Sequence, residues 1–235
     1  MPGRLRGLID AWRGRDLLSQ MLDEFQKMLR DGEWMFRTAG AVLLTREKPE
    51  TVHDEFFERD KEINAREKDI RRRIVEHLSL RHDVDVPACL VLMSVVKDAE
   101  RIGDYSKNIY EVACLYTMGF RTGPYVLRLK QLRTEVEGFF DKVRAVFAEA
   151  DGLAALVLIQ QTKEVGWRAD QMIERLIRDE LPTQKAVAFA LLSRYFKRVA
   201  AHLGNICTSV TGPVHEMDHT PQAEQRIRKT YGSRS

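Results

Sequence analysis

The chain is poor in the residues that break helices or staple small folds: of 235 residues, 7 are proline, 14 glycine and 3 cysteine. So little proline and glycine excludes a loop-rich or collagen-like chain and favours long, uninterrupted helices. Cys89, Cys114 and Cys207 are odd in number, widely spaced and set among apolar neighbours. They read as buried thiols in a reducing compartment, with no disulfide framework. No apolar run approaches the roughly 20 residues that cross a bilayer; the longest, 88–96, is about half that length. The opening MPGRLRGLIDAWRGRD has no continuous apolar core of the kind a signal peptide carries, so a cytoplasmic location is expected. A dominant charge is missing too. The 38 basic and 35 acidic residues leave a net +3, which argues against a protein that coats nucleic acid. No glycine-rich phosphate loop is present, so nucleotide binding is not expected.

What remains is charge and helical periodicity. Charged residues make up 31% and hydrophobic ones 44%, the balance of long amphipathic helices. Breaks at Lys48-Pro49, at 81–87, at Gly123-Pro124, at Asp151-Gly152 and at Pro182 divide the chain into six helices. Their expected spans are 16–45, 51–80, 87–116, 125–149, 152–179 and 183–210. The fold is therefore expected to be all-α, six long antiparallel helices in two tandem three-helix bundles. The first bundle covers 16–120 and the second 121–212, between an extension at 1–15 and a polar tail at 213–235.

The two halves look like copies. DKEIN (60–64) aligns with TKEVG (162–166), and RIGDYSKNI (101–109) with RVAAHLGNI (198–206), in the same order and about a hundred residues apart. In the first half Glu100 and Asp104 stand one helical turn apart, Asn108 follows a turn later, and Asp60 lies on the preceding helix. The apolar seam of the third helix, Val95, Ala99, Ile102, Ile109, Ala113 and Tyr116, leaves both carboxylates on the other side. Carboxylates four residues apart repel unless a cation sits between them. Oxygen-rich clusters suit hard or borderline metals, with Asn108 a neutral donor. The competing reading is a solvated acidic face neutralised by Lys97, Arg101 and Lys107. In the second half the aligned positions are Thr162, Lys197 and Ala201, so three acids vanish together. Asp60 lies near the apolar stripe Phe56, Ile63, Ile70 and Ile74, where it could instead pair with a neighbouring Arg.

ERIGDYSKNI (100–109) resembles the signature of the PhoU family, which regulates phosphate uptake and phosphate-starvation signalling in bacteria and archaea. ERDKEINAREKDIRRRIVEHL (58–78), followed by the Pro87-led helix, is similar to the family's preceding helix. The resemblance spans roughly 16–212, close in the first half and weak in the second. It implies two side-by-side three-helix bundles and a non-enzymatic regulator. It also implies iron, zinc or another divalent metal on a Glu/Asp-x-x-x-Asp motif, here Glu100 and Asp104 with Asp60 and Asn108 beside them. The implied partners are the ATPase of a phosphate ABC transporter, or another phosphate transporter, and a sensor histidine kinase. The protein would then be peripheral to the membrane through its partner, and a homodimer is compatible with this. The departure at Lys197 and Ala201 allows at most one metal site, or a metal-free helical adaptor of the same fold with a different partner.

Three rival signals carry less. His215-Glu216-Met217-Asp218-His219 spells a zinc-protease motif, but Pro213 and Pro221 bracket it and no third ligand follows. A ferritin-like di-iron centre needs Glu-x-x-His on two inward-facing helices, and only Glu216 to His219 offers that spacing in a segment of this kind. The Arg71-Arg72-Arg73 triplet reads as the wet side of the second helix.

Overall fold

The computed structural model describes residues 16–45, 48–80, 86–116, 120, 122–211 and 217. They form six helices: α1 (Asp16–Thr45), α2 (His53–Leu80), α3 (Val86–Leu115), α4 (Pro124–Glu149), α5 (Gly152–Arg178) and α6 (Thr183–Thr211). No strand occurs among the described residues, and no helix there is long and apolar enough to cross a membrane. The expected extension at 1–15 and the tail with its HExxH segment lie outside the described residues, except for Met217, which is buried.

Local chemistry sets the helix ends. A 3-10 turn, Pro49–Thr51, precedes α2 and delays its start by two residues relative to expectation. Thr51 donates from both its amide and its hydroxyl to the Lys48 carbonyl, which holds the chain in the tighter turn. Pro124 occupies the first position of α4, where its missing N–H costs nothing, after Gly123 at a φ of 127°. The α4–α5 junction is sharp: Ala150 takes the left-handed conformation, and the Asp151 carboxylate accepts from Leu153 N and Ala154 N, both at 3.0 Å.

Helices α1, α2 and α3 pack on one another, as do α4, α5 and α6. The two sets join along α1–α4 and α3–α6, leaving α2 and α5 on the outer flanks. One continuous core runs through both sets. At its centre the Phe36 ring meets Phe140 at 5.7 Å and Phe196 at 5.6 Å, and Phe25 meets Phe147 at 4.9 Å. Those rings tie the halves together through dispersion and apolar burial.

The periodic stripes land where expected: Phe56, Ile63, Ile70 and Ile74 of α2 are buried, as are Val95, Ala99, Ile102 and Ile109 of α3. Two expectations fail. Cys114 is exposed, near the end of α3 where the bundle no longer covers it; Cys89 and Cys207 are buried. Within the arginine triplet Arg71 and Arg72 face water, at 39% and 62% exposed, while Arg73 turns inward at 17%, because consecutive helical residues are about 100° apart. Arg71 pairs with Glu67, and Arg73 crosses to Gln20 of α1 at 2.8 Å.

Candidate functional site

The carboxylates expected to form a site line a groove between α2 and α3. Gly103 sits at its floor, where an added Cβ would meet Ile63 Cδ1 at 3.3 Å, so the two helices approach closely there. Asp60, Asn64 and Glu67 follow one another along α2, each a turn on, and face the α3 line of Glu100, Asp104 and Lys107. The side chains are sheltered more than a surface helix would allow: Asp60 is 14% exposed, Glu100 15% and Asp104 29%. This corrects the picture of acids pointing outward, since they turn towards α2.

Lys107 joins the two helices. Its Nζ donates to both Asp60 oxygens at 3.1 and 3.0 Å, and to Asp104 Oδ1 at 3.4 Å. Burial alone would lower the ammonium's pKa; the two carboxylates outweigh it and hold it above the ordinary lysine value. Arg101 bonds Asp104 Oδ2 at 3.0 Å and lies 3.5 Å from Glu100 Oε2. The partner of Asp60 is thus a lysine of α3, in place of the arginine considered from sequence. Asn108 has no side-chain hydrogen bond among the described residues.

Glu100 carries the strain. Burial raises its pKa, neighbouring Asp104 raises it further, Arg101 offsets part of this, and Glu67 adds to the rise. Glu67 escaped the sequence reading, although its spacing of one heptad from Asp60 on the same stripe was the available signal. Tested as a metal centre, the arrangement does not fit as it stands. No three acidic, histidine or cysteine side chains among the described residues converge on one point, and the Lys107 ammonium occupies the gap between Asp60 and Asp104.

The corresponding place in the second half is closed. Thr162, at the position of Asp60, is 4% exposed, and an added Cβ on Gly204, at the position of Lys107, would stand 2.5 Å from Thr162 Oγ1. Lys197, at the position of Glu100, lies over Gly166 and donates to Asp170 at 2.7 and 2.5 Å. Ala169 stands where Glu67 would be and is buried. Where the halves meet, Asp98 of α3, 5% exposed, lies 2.8 Å from His202 Nδ1 and accepts from Asn205 Nδ2 at 3.2 Å. Tyr105 stacks on His202 at 5.6 Å and lies 6.1 Å from Tyr195.

Residues 18–113 match the family model described as the PhoU domain. A curated relative from Synechocystis, named a phosphate-specific transport system accessory protein PhoU homolog, is 24% identical over 159 residues, covering 66% of this chain and 70% of its own length. The crystal structure of PhoU from Pseudomonas aeruginosa superposes with a TM-score of 0.74 at 19% identity, covering 83% of this chain and 95% of that one. The phosphate transport system regulatory protein PhoU from Streptococcus pneumoniae gives 0.68 at 18% identity, with the same coverage. The first half of the chain thus matches the PhoU domain, and its helices share the fold of the PhoU crystal structures.

Proposed function

We propose that this protein is a non-enzymatic regulator of phosphate transport and phosphate-starvation signalling that acts by protein contact. The relatives' role in phosphate transport systems supports this reading. The observation that carries it is the composition of the α2–α3 groove: its ionic groups hold one another, and no histidine or cysteine stands among them to act as base or nucleophile. The partners that suit the reading are the ATPase of a phosphate transporter and a sensor histidine kinase, with the regulator held at the membrane through them. The test is a phosphate-starvation reporter in phosphate-rich medium. Deleting the chain should raise the reporter, and an unchanged reporter overturns the regulatory reading.

A second reading, one divalent metal such as iron or zinc at Glu100, Asp104 and Asp60, is favoured by a charge count. Asp60, Glu67, Glu100 and Asp104 outnumber Lys107, Arg101 and Arg71, and Glu100 resists ionising because it is buried and because Asp104 and Glu67 lie beside it. A metal there would compete with the Lys107 ammonium. Lys107→Met should therefore raise iron or zinc retained by untagged protein, and Glu100→Gln with Asp104→Asn should remove it. Equal metal content in all three proteins would end this reading and leave the metal-free adaptor.

A further inference from the structure

Helix α6 contains no aspartate or glutamate in its 29 residues, whereas α3 keeps Asp98, Glu100, Asp104 and Glu111. Loss of the acidic site has left α6 with Lys185, Arg194, Lys197 and Arg198 as its only fully charged side chains. Lys197 is consumed by Asp170. Arg194 and Arg198 are exposed and have no ion pair among the described residues. They continue a line begun by Val187, 51% exposed, and Leu191, 37% exposed. The spacing of i, i+4, i+7 and i+11 puts all four on one outward stripe.

The α3–α6 register brings more positive charge to this stripe. Asp98 lies opposite His202 and Tyr105 opposite Tyr195, so the helices run antiparallel with Arg101 opposite Arg198. Each arginine is three residues after one member of that buried layer and four before the other, which places both beside the seam on its outer side. Exposed Lys97, also without an ion pair among the described residues, lies one turn from Arg101. Three unneutralised cations, beside an Arg101 already shared between Asp104 and Glu100, repel across the seam, and an anionic partner relieves that cost.

We infer that the stripe Val187, Leu191, Arg194 and Arg198, with Lys97 and Arg101 across the seam, docks an acidic amphipathic helix of a partner protein. Two apolar residues on that helix cover Val187 and Leu191, and carboxylates one and two turns further on meet the arginines. A protein helix suits the surface better than an anionic membrane. Exposed Glu111 follows Lys97 and Arg101 on the same helix, where a uniformly negative bilayer would meet it and a patterned helix avoids it. This inference rests on the contact-regulator reading, and the two fail separately: the reporter assay tests the role, a binding assay tests the surface.

The probe is a synthetic helical peptide carrying two leucines and two glutamates at the same spacing, beside a scrambled peptide of equal composition. Binding to the full chain should weaken about tenfold or more with Arg194→Glu plus Arg198→Glu, and should weaken with added salt. The control, Lys130→Glu plus Lys142→Glu on the exposed surface of α4, changes net charge equally and should change affinity less than about threefold. Circular dichroism confirms that both variants fold, and Arg194→Gln plus Arg198→Gln gives the same readout without charge reversal. The inference is overturned by equal binding of the scrambled peptide, equal loss in the control, or no peptide binding. It is likewise overturned if vesicles with about 30 mol% phosphatidylglycerol bind the chain through these arginines and the peptide does not.

Discussion

The α2–α3 and α5–α6 grooves are one design carried to opposite ends. Both are lined by aligned positions of corresponding helices, and both are bridged at the same register. In the first half the bridge is Lys107 to Asp60; in the second it is the contact of Gly204 with Thr162. Long ionic side chains fill the groove between the first pair of helices and bridge them. Small residues let the second pair close, with Gly166 and Gly204 both buried. The loss of acids in the second half was therefore more than a loss of charge: the space the side chains needed has gone. Lys197 did not replace a metal in place, because it leans over Gly166 to Asp170.

The largest effect is expected where the halves face each other. Asp98 and Tyr195 occupy corresponding positions, as do Tyr105 and His202, so Asp98–His202 and Tyr195–Tyr105 are the two sides of one approximate dyad. His202→Ala would leave a buried carboxylate with only Asn205, while its other oxygen already lacks a partner. The expected loss is about 2–4 kcal/mol, or roughly 5–15 °C in Tm. Tyr195→Phe should cost under about 0.5 kcal/mol. Thermal melts of the two variants would break the dyad comparison if their losses were equal.

Next comes the closed seam. Gly204→Ala drives a methyl against the short Thr162 side chain and should destabilise by about 1–3 kcal/mol. Adding Thr162→Ser, which leaves the hydroxyl, should not rescue it, whereas Thr162→Gly should recover part of the loss. A neutral Gly204→Ala would mean the helices of the second half are not held by this contact. Rebuilding the acids sharpens the same point. Lys197→Glu with Ala201→Asp removes the Asp170 partner and sets three carboxylates together, with an expected cost of about 1 kcal/mol and no gain in zinc or iron content. Metal uptake by that variant would show that charge alone had been lost.

The helices and their breaks were legible because they depend on periodic burial and on Pro and Gly, which a sequence displays directly. The alignment of Asp60 with Thr162 and of Glu100 with Lys197 was legible for the same reason. Two things were not. Lys107 reads as one more surface cation until α2 is placed beside α3, since its partner is 47 positions away in the chain. Glu67 hides in a helix where charges of both signs recur at every turn, and only its proximity to Glu100 singles it out. The α6 face was hidden differently: a helix without acids is visible in sequence, but which of its cations lack a carboxylate partner depends on the neighbouring helices.

The smallest effect is also the most specific to the open groove. Because the folded protein raises the pKa of Glu100 above its ordinary 4.5, the fold binds this proton more tightly than the unfolded chain does. That stabilisation is complete below the ordinary value and is lost as pH rises through the raised one. At neutral pH the ionised carboxylate is then a small liability, comparable to a like-charge pair one turn apart, a few tenths of a kcal/mol. Glu100→Gln should therefore melt about 1 °C above wild type at pH 7 in EDTA, and the gap should shrink to nothing as pH falls below 4.5. Excess zinc tests the second reading in the same experiment: if metal binds, wild type gains more than the variant and the order at pH 7 reverses. A variant that melts below wild type in EDTA would mean that Arg101 holds Glu100 more firmly than Asp104 and Glu67 repel it.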